Sequence, residues 1–321
     1  MDHYRHLSTK EREITMVEQG KAMSVRAIAR TLGRSPSTIS RELRRNQNRD
    51  GSYSASAANI SYLKRRAACH RPSIFANQTA RAYVEELIKR KWSPEQIAGR
   101  AKLDGYPIPF SYSSIYRGID HKLIALTDKH DLRLKWHYKR RKARKLTKWE
   151  NVIGIHERPE EVNARTQFGH WESDTVLGQR KTGGFATHVE RVTGFLIASR
   201  LHGGSGEEYA DAMIDAFRDF PSRSRRSFTV DRGGEFTRHA RIATQLNAKV
   251  YFCDPYSSWQ KGTNENTNGL LRQYFPKKSS FLPITPSVLQ AAVDSLNDRP
   301  RKRLGWLSPR ELFSFYLLHL V

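Results

Sequence analysis

The stretch YFCDPYSSWQKGTNENTNGLLRQYF, residues 251–275, decides how the rest of the chain is read. It joins a short apolar strand, ending in Tyr251 and Phe252 and stopped by Pro255, to a helix predicted over 262–275. Asparagine is a poor helix former, yet Asn264, Asn266 and Asn268 crowd the first half of that helix beside Lys261 and Glu265. At helical spacing Lys261, Glu265, Asn268 and Arg272 share a face, which sets one carboxylate among groups that bind phosphates and bases. A polar helix alone is more often a solvated surface. The catalytic reading therefore depends on partners elsewhere in the chain.

Those partners lie upstream. Residues 168–178, FGHWESDTVLG, read as a strand with Asp174 in its middle, where an unpaired carboxylate is costly to bury. Further strands are predicted at 184–191 and 194–201, then an amphipathic helix over 207–220 with Tyr209, Ala212, Met213, Ala216 and Phe217 inward. A strand at 227–230 delivers Asp231 to a turn at Gly233 and Gly234, and a helix at 238–246 precedes the strand at 249–252. The series βββαβαβα predicts an α/β domain with a mixed sheet flanked by helices. Its acids stand mid-strand, at a strand end and on the last helix, where one sheet edge can gather them. Converging carboxylates repel unless a divalent cation neutralises them, and such oxygen ligands suit Mg²⁺, with Mn²⁺ as a substitute. Two ions about 3.5–4 Å apart would activate water or a 3′-hydroxyl for phosphodiester displacement. Asp174, Asp231 and Glu265 are thus the candidate catalytic and metal-ligating residues.

Other acids are weaker candidates. Glu172 shares the strand face of Asp174, but a structural salt bridge is its favoured role. Glu235 and Asp254 are read as turn or supporting groups. Gly203, Gly204 and Gly206 are not followed by the Lys-Ser/Thr pair of a phosphate loop, so no nucleotide cofactor is implied. His170 and Trp171 either pack or touch DNA. The run 297–303, NDRPRKR, is a basic helix end or, as context favours, a phosphate contact.

The charge points to the partner. Lys and Arg number 56 against 32 Asp and Glu, a formal net charge of +24. Residues 1–150 hold 33 basic and 14 acidic side chains, leaving 23 and 18 for the remainder, so the front half is the expected nucleic-acid footprint. Within 23–46, a helix carrying Val25, Ile28, Ala29 and Leu32 is followed by Gly33 and a second start at Ser35-Pro36, with Ile39 and Leu43 inward. That leaves Ser37, Thr38, Arg41 and Arg45 outward, as a helix-turn-helix presents its reading helix to base edges and phosphates. A second helix pair opens on the capping box at Ser93-Pro94-Glu95-Gln96 and restarts at 111–119, with Ser113, Ser114 and Arg117 as candidate DNA contacts. Between the halves, five of the six positions 139–144 are basic, and Arg140, Arg141 and Lys142 form a candidate phosphate clamp.

Taken together, HWESD around Asp174, TVDRGGEF around Asp231 and the 251–275 stretch around Glu265 resemble the DDE transposases of the insertion sequence thirty family, with 33 residues between Asp231 and Glu265. The resemblance spans nearly the whole chain and implies a ribonuclease-H-like catalytic domain, with Asp174, Asp231 and Glu265 as metal ligands. It also implies cleavage and joining of double-stranded DNA at inverted-repeat ends, and a dimer or larger synaptic assembly. Ser173, Arg232, Ser258 and Lys261 depart from the commoner family pattern, and none is an acid. The expected organisation is a helix-turn-helix domain over 1–70, a second such domain over 71–130, a basic linker over 131–150 and the integrase core over 151–321.

Only Cys69 and Cys253 are present, which excludes a disulfide framework or a cysteine-rich zinc site and fits a reducing cytoplasm, a prokaryotic one as the resemblance implies. No apolar run approaches the roughly 20 residues needed to span a bilayer, and 312–321 reads as a closing helix. Two rival readings remain: a helix-turn-helix regulator without catalysis, and a metal-dependent nuclease that cannot join ends.

Overall fold

Eight of the thirteen α-helices among the described residues begin on a serine cap. The computed structural model describes residues 5–48, 50–69, 73–125, 152–255 and 257–319. The linker 131–150, and with it Arg140, Arg141 and Lys142, lies outside the described residues. The chain divides into two compact units, Met1–Ser73 and Ile74–Val321.

The first unit holds α1 (Thr9–Gly20), α2 (Val25–Thr31), α3 (Pro36–Asn46) and α4 (Ala55–Ala68). Ser8 and Glu11 form a capping box on α1, and Ser35 caps α3 with proline at its first position. Gly33, at φ +60°, makes the turn between α2 and α3 that a side chain would strain. Leu7, Ile28, Ala29, Ile39, Leu43, Tyr53 and Ala58 form its core. Arg12 is buried against that core, donating to Glu42 at 2.9 Å, and Tyr53 donates to the same Glu42 oxygen at 2.9 Å. The pair ties α1 to α3 with its charges satisfied.

The second unit begins with α5 (Gln78–Lys89), α6 (Pro94–Leu103) and α7 (Tyr112–Asp120) around Phe75, Val84, Ile88, Ile97 and Ile115. There follow β1 (Ile153–Gly154), α8 (Glu160–Asn163), β2 (His170–Leu177), β3 (Gly184–Glu190), β4 (Leu196–Leu201) and α9 (Gly206–Phe217). The chain continues through β5 (Ser227–Val230), α10 (His239–Leu246), β6 (Lys249–Phe252), α11 (Gly262–Leu271), α12 (Pro286–Asn297) and α13 (Pro309–Leu318). The six strands lie in the order β1-β6-β5-β2-β3-β4; β2, β3 and β4 run as an antiparallel meander, and β5 and β6 join parallel to β2. This is the ribonuclease-H-like mixed sheet that the resemblance implied.

Helices cover both faces. Trp171, Phe228, Val230 and Phe252 pack under α9, α10 and α13 through Tyr209, Met213, Phe217, Ile242, Leu246 and Phe313. Val176, Phe185, Val189 and Leu196 pack on the other face against Leu270 and Leu271 of α11 and Leu289, Val293 and Leu296 of α12. The second helix pair docks on the end of the same unit. Arg100 forks onto Glu311 at 2.7 and 2.8 Å, Gln96 donates to the Pro300 carbonyl at 2.8 Å, and Lys302 pairs with Glu95 at 2.7 Å. A Cβ at Gly99 would stand 2.3 Å from the Trp306 ring, so only glycine admits that contact.

Candidate active site

Strand register sets the two aspartates side by side. Residues 170–172 of β2 pair with 227–229 of β5, Glu172 lying opposite Thr229. Continuing that register two residues, past the end of β5 at Val230, brings Asp231 level with Asp174. Adjacent strands lie about 4.8 Å apart, so two carboxylates here repel unless a cation intervenes. The cation present is Lys261. Its Nζ lies 3.3 Å from Asp174 Oδ1 and 3.1 Å from Asp231 Oδ2, and it donates to the Ser173 carbonyl at 3.1 Å. Its side chain is 4% exposed. Burial opposes its charge, but Asp174 and Asp231 outweigh burial and hold its pKa above the ordinary lysine value. The other oxygen of each acid is held as well: Asn268 donates to Asp174 Oδ2 at 3.2 Å, and the Gly233 amide to Asp231 Oδ1 at 2.9 Å.

Helix α11 lies across β2 and β3, and its first turn is anchored by Glu172. That carboxylate is fully buried, pairs with Arg191 and accepts the Asn264 backbone N–H at 2.9 Å. The Asn264 side chain is also fully buried and donates to the Glu172 carbonyl at 2.7 Å and the Thr187 carbonyl at 3.2 Å. Glu172 therefore takes the structural role favoured from its position. The expected DNA contacts at Lys261 and Asn264 are corrected: both are buried, and their polar hydrogens are spent inside the protein. Asn268 and Arg272 are half-buried and also turn inward, Arg272 donating to the Leu177 carbonyl at 2.8 Å.

Residues 3–46 match the family described as a helix-turn-helix domain, and residues 164–258 match the integrase core domain. The transposase InsI of insertion sequence element IS30A from Escherichia coli is 40% identical, covering 96% of this chain and 83% of its own length. The chain belongs to the IS30 family of insertion-sequence transposases. The IS4351 transposase of Bacteroides fragilis is 35% identical over 96% of this chain and 95% of its own. The IS1086 transposase of Cupriavidus metallidurans is 34% identical over 97% and 95%. The catalytic core of BIV integrase, a solved structure, aligns over 46% of this chain and 95% of its own at 18% identity and a TM-score of 0.36. The protein is thus a DNA-binding transposase with an integrase core.

The remaining predicted residues of the transposase fall in distinct places. Glu265 is exposed on α11, one residue beyond buried Asn264. Among the described residues no three His, Cys, Asp or Glu side chains are gathered closely enough to hold one metal ion. The structure therefore brings Asp174 and Asp231 together and leaves Glu265 outside that pair. Glu235 stands near them: a Cβ at Gly233 would meet its carboxylate at 2.3 Å and Asp231 Oδ1 at 2.9 Å. Burial, with Asp231 adding to it, raises the Glu235 pKa. Ser37, Arg41 and Arg45 are exposed on α3 and Thr38 is half-buried; Ser113 and Arg117 are exposed on α7 beside half-buried Ser114. His170 and Trp171 pack inside, His170 bonded to Ser227 and Gln167 and Trp171 to the Ser224 carbonyl.

Of the basic residues in the run 297–303, the expected phosphate contact, Lys302 and Arg303 are exposed and Arg299 and Arg301 are held inward. Asn297 and Arg299 are buried, Asn297 bonding the backbone of Leu196, while Arg301 and Arg303 donate to the Leu296 and Val192 carbonyls. No helix among the described residues is long and apolar enough to cross a membrane.

Proposed function

We propose that the transposase binds the inverted-repeat ends of its element and cuts and joins DNA strands with divalent ions held by Asp174, Asp231 and Glu265. What supports this most is that carboxylate oxygens from β2 and from just past the end of β5 face one positive charge, the Lys261 ammonium, at 3.3 and 3.1 Å. The donors are hard oxygens, the chemistry Mg²⁺ and Mn²⁺ take, so the acids fit the group that the family reading implies. Glu265 would complete the set from the exposed side of α11. Two Mg²⁺ ions, when bound, supply the Lewis acidity that activates a water or 3′-hydroxyl and stabilises the leaving oxygen.

The rest is the work of this chain's own residues. Asn268 and the Gly233 amide each fix one oxygen of an aspartate, which leaves the other oxygen to point into the gap. The outward face of α3, with Ser37, Thr38, Arg41 and Arg45, reads base edges and anchors on phosphates, and Ser113, Ser114 and Arg117 of α7 add a second contact row. Arg140, Arg141 and Lys142 contribute phosphate contacts from the linker. Joining two ends calls for a dimer or larger assembly acting on DNA in the cytoplasm, and no nucleotide cofactor enters this reading.

The decisive experiment incubates the protein with an inverted-repeat end and Mg²⁺. Wild type should nick and then join strands, whereas Asp231→Asn and Glu265→Gln should bind the end without cutting it. Equal cleavage by all three would end the metal-carboxylate reading, and binding without cleavage by wild type would favour a regulator.

A further inference from the structure

We propose that Lys261 is a built-in cation between Asp174 and Asp231, and that divalent ions bind there only by displacing its ammonium. This rests on the reading of those acids as metal ligands.

An ammonium carries three hydrogens and no acceptor. It donates to Asp231 Oδ2 at 3.1 Å and to the Ser173 carbonyl at 3.1 Å, and pairs ionically with Asp174 Oδ1 at 3.3 Å. A buried charge is tolerated only when paired and hydrogen-bonded, and this one is both. The benefit runs both ways, because without Lys261 two neighbouring carboxylates would face each other uncompensated. Lys261 is thus built into the fold.

The same contacts compete with an ion. Each aspartate has one oxygen held by another donor, Asn268 or the Gly233 amide, and the free oxygen of each is the one Lys261 occupies. Mg²⁺ bonds oxygen at about 2.0–2.1 Å, so an ion shared by those two oxygens would need the volume that Nζ fills and would add its charge beside a like charge. The side chain is not carried on the helix itself. Lys261 ends the short turn Ser258–Lys261, before α11 begins, and its charge sits on a flexible four-carbon stem.

The test measures Mn²⁺ binding by electron paramagnetic resonance on the full chain, for wild type, Lys261→Met, Lys261→Gln and Asp174→Asn. Removing the ammonium should tighten Mn²⁺ binding at least about fivefold, the lower end of ordinary coupling between sites. It should also lower the metal-free melting temperature and enlarge the rise that Mg²⁺ brings. Binding by Lys261→Met no tighter than wild type, while Asp174→Asn still loses the ion, overturns the displacement and leaves the metal site standing. Undiminished binding by Asp174→Asn overturns the metal reading itself, and this proposal with it. A second measurement needs no variant. Reductive methylation of wild type, read by mass spectrometry, should spare Lys261 without metal and label it when Mg²⁺ is added. Equal labelling in both states refutes the displacement.

Discussion

Replacing Asn264 by alanine should unfold the catalytic unit at a markedly lower temperature, whereas the same change at Asn268 should not. Asn264 is fully buried, and its amide donates to two carbonyls, those of Glu172 at 2.7 Å and Thr187 at 3.2 Å. Alanine leaves both acceptors inside the protein without that donor, at about 1–2 kcal/mol apiece, or roughly 2–4 kcal/mol together. For a unit of this size each kcal/mol moves the midpoint by about 2–4 °C, so a drop of roughly 5–15 °C is expected. Asn268 is half-buried and makes one bond, to Asp174 at 3.2 Å, so its loss should move the midpoint by only about 1–3 °C while still lowering strand cleavage. Thermal melts of the full chain, with urea unfolding as a check on cooperativity, separate the two. A midpoint for Asn264→Ala within about 1 °C of wild type would refute the argument that this asparagine is an internal strut.

Three further outcomes follow from the same contacts. Glu172→Gln leaves the buried Arg191 guanidinium without its charge partner and should cost about 3–5 kcal/mol in urea unfolding, whereas changing both residues to Met should cost much less. Gly99→Ala should destabilise wild type because its Cβ meets the Trp306 ring at 2.3 Å, yet be nearly neutral in Trp306→Ala; additive effects in that cycle would disprove the contact. Burial, aided by Arg226, lowers the His170 pKa from 6.5 to about 4, and burial takes His188 to about 3, so the unfolded chain binds these protons first. Stability should therefore be full above pH 6.5 and fall as pH drops towards 4. Burial raises the Glu190 pKa and works the other way, so the measure is a shallower pH slope in His188→Gln than in wild type.

The sequence made the core strands legible because apolar runs there are bounded by glycine, proline and acids: 227–230 and 249–252 were read to the residue. Strand β1 was not, since two residues, Ile153 and Gly154, carry no period. Two missed helices did carry signals. Ser8 with Glu11 is a capping box, and Thr285-Pro286 marks the start of α12. The site was half legible. Asp174 and Asp231 stood out as charges on apolar strands, but the helical wheel misplaced Lys261, which belongs to the turn before α11 at φ −112° and ψ 40°. Asn264 was readable in principle. Stepping back from apolar Leu270 and Leu271 by three and four residues leads to Thr267 and then to Thr263 and Asn264, the buried face of α11.

That buried face constrains how the third acid reaches the other two. The start of α11 is held by the Asn264 backbone on Glu172, by the Asn264 amide on β2 and β3, and by the Glu172–Arg191 pair behind them. Sliding the helix to carry Glu265 inward would break that set, at a cost near the roughly 3–5 kcal/mol of an orphaned buried charge. Turning the exposed Glu265 side chain leaves that set intact. On the proposed reading, assembly of the acid trio would therefore be a matter of two side chains, Lys261 leaving the gap and Glu265 turning towards it, on a helix that stays where Glu172 pins it.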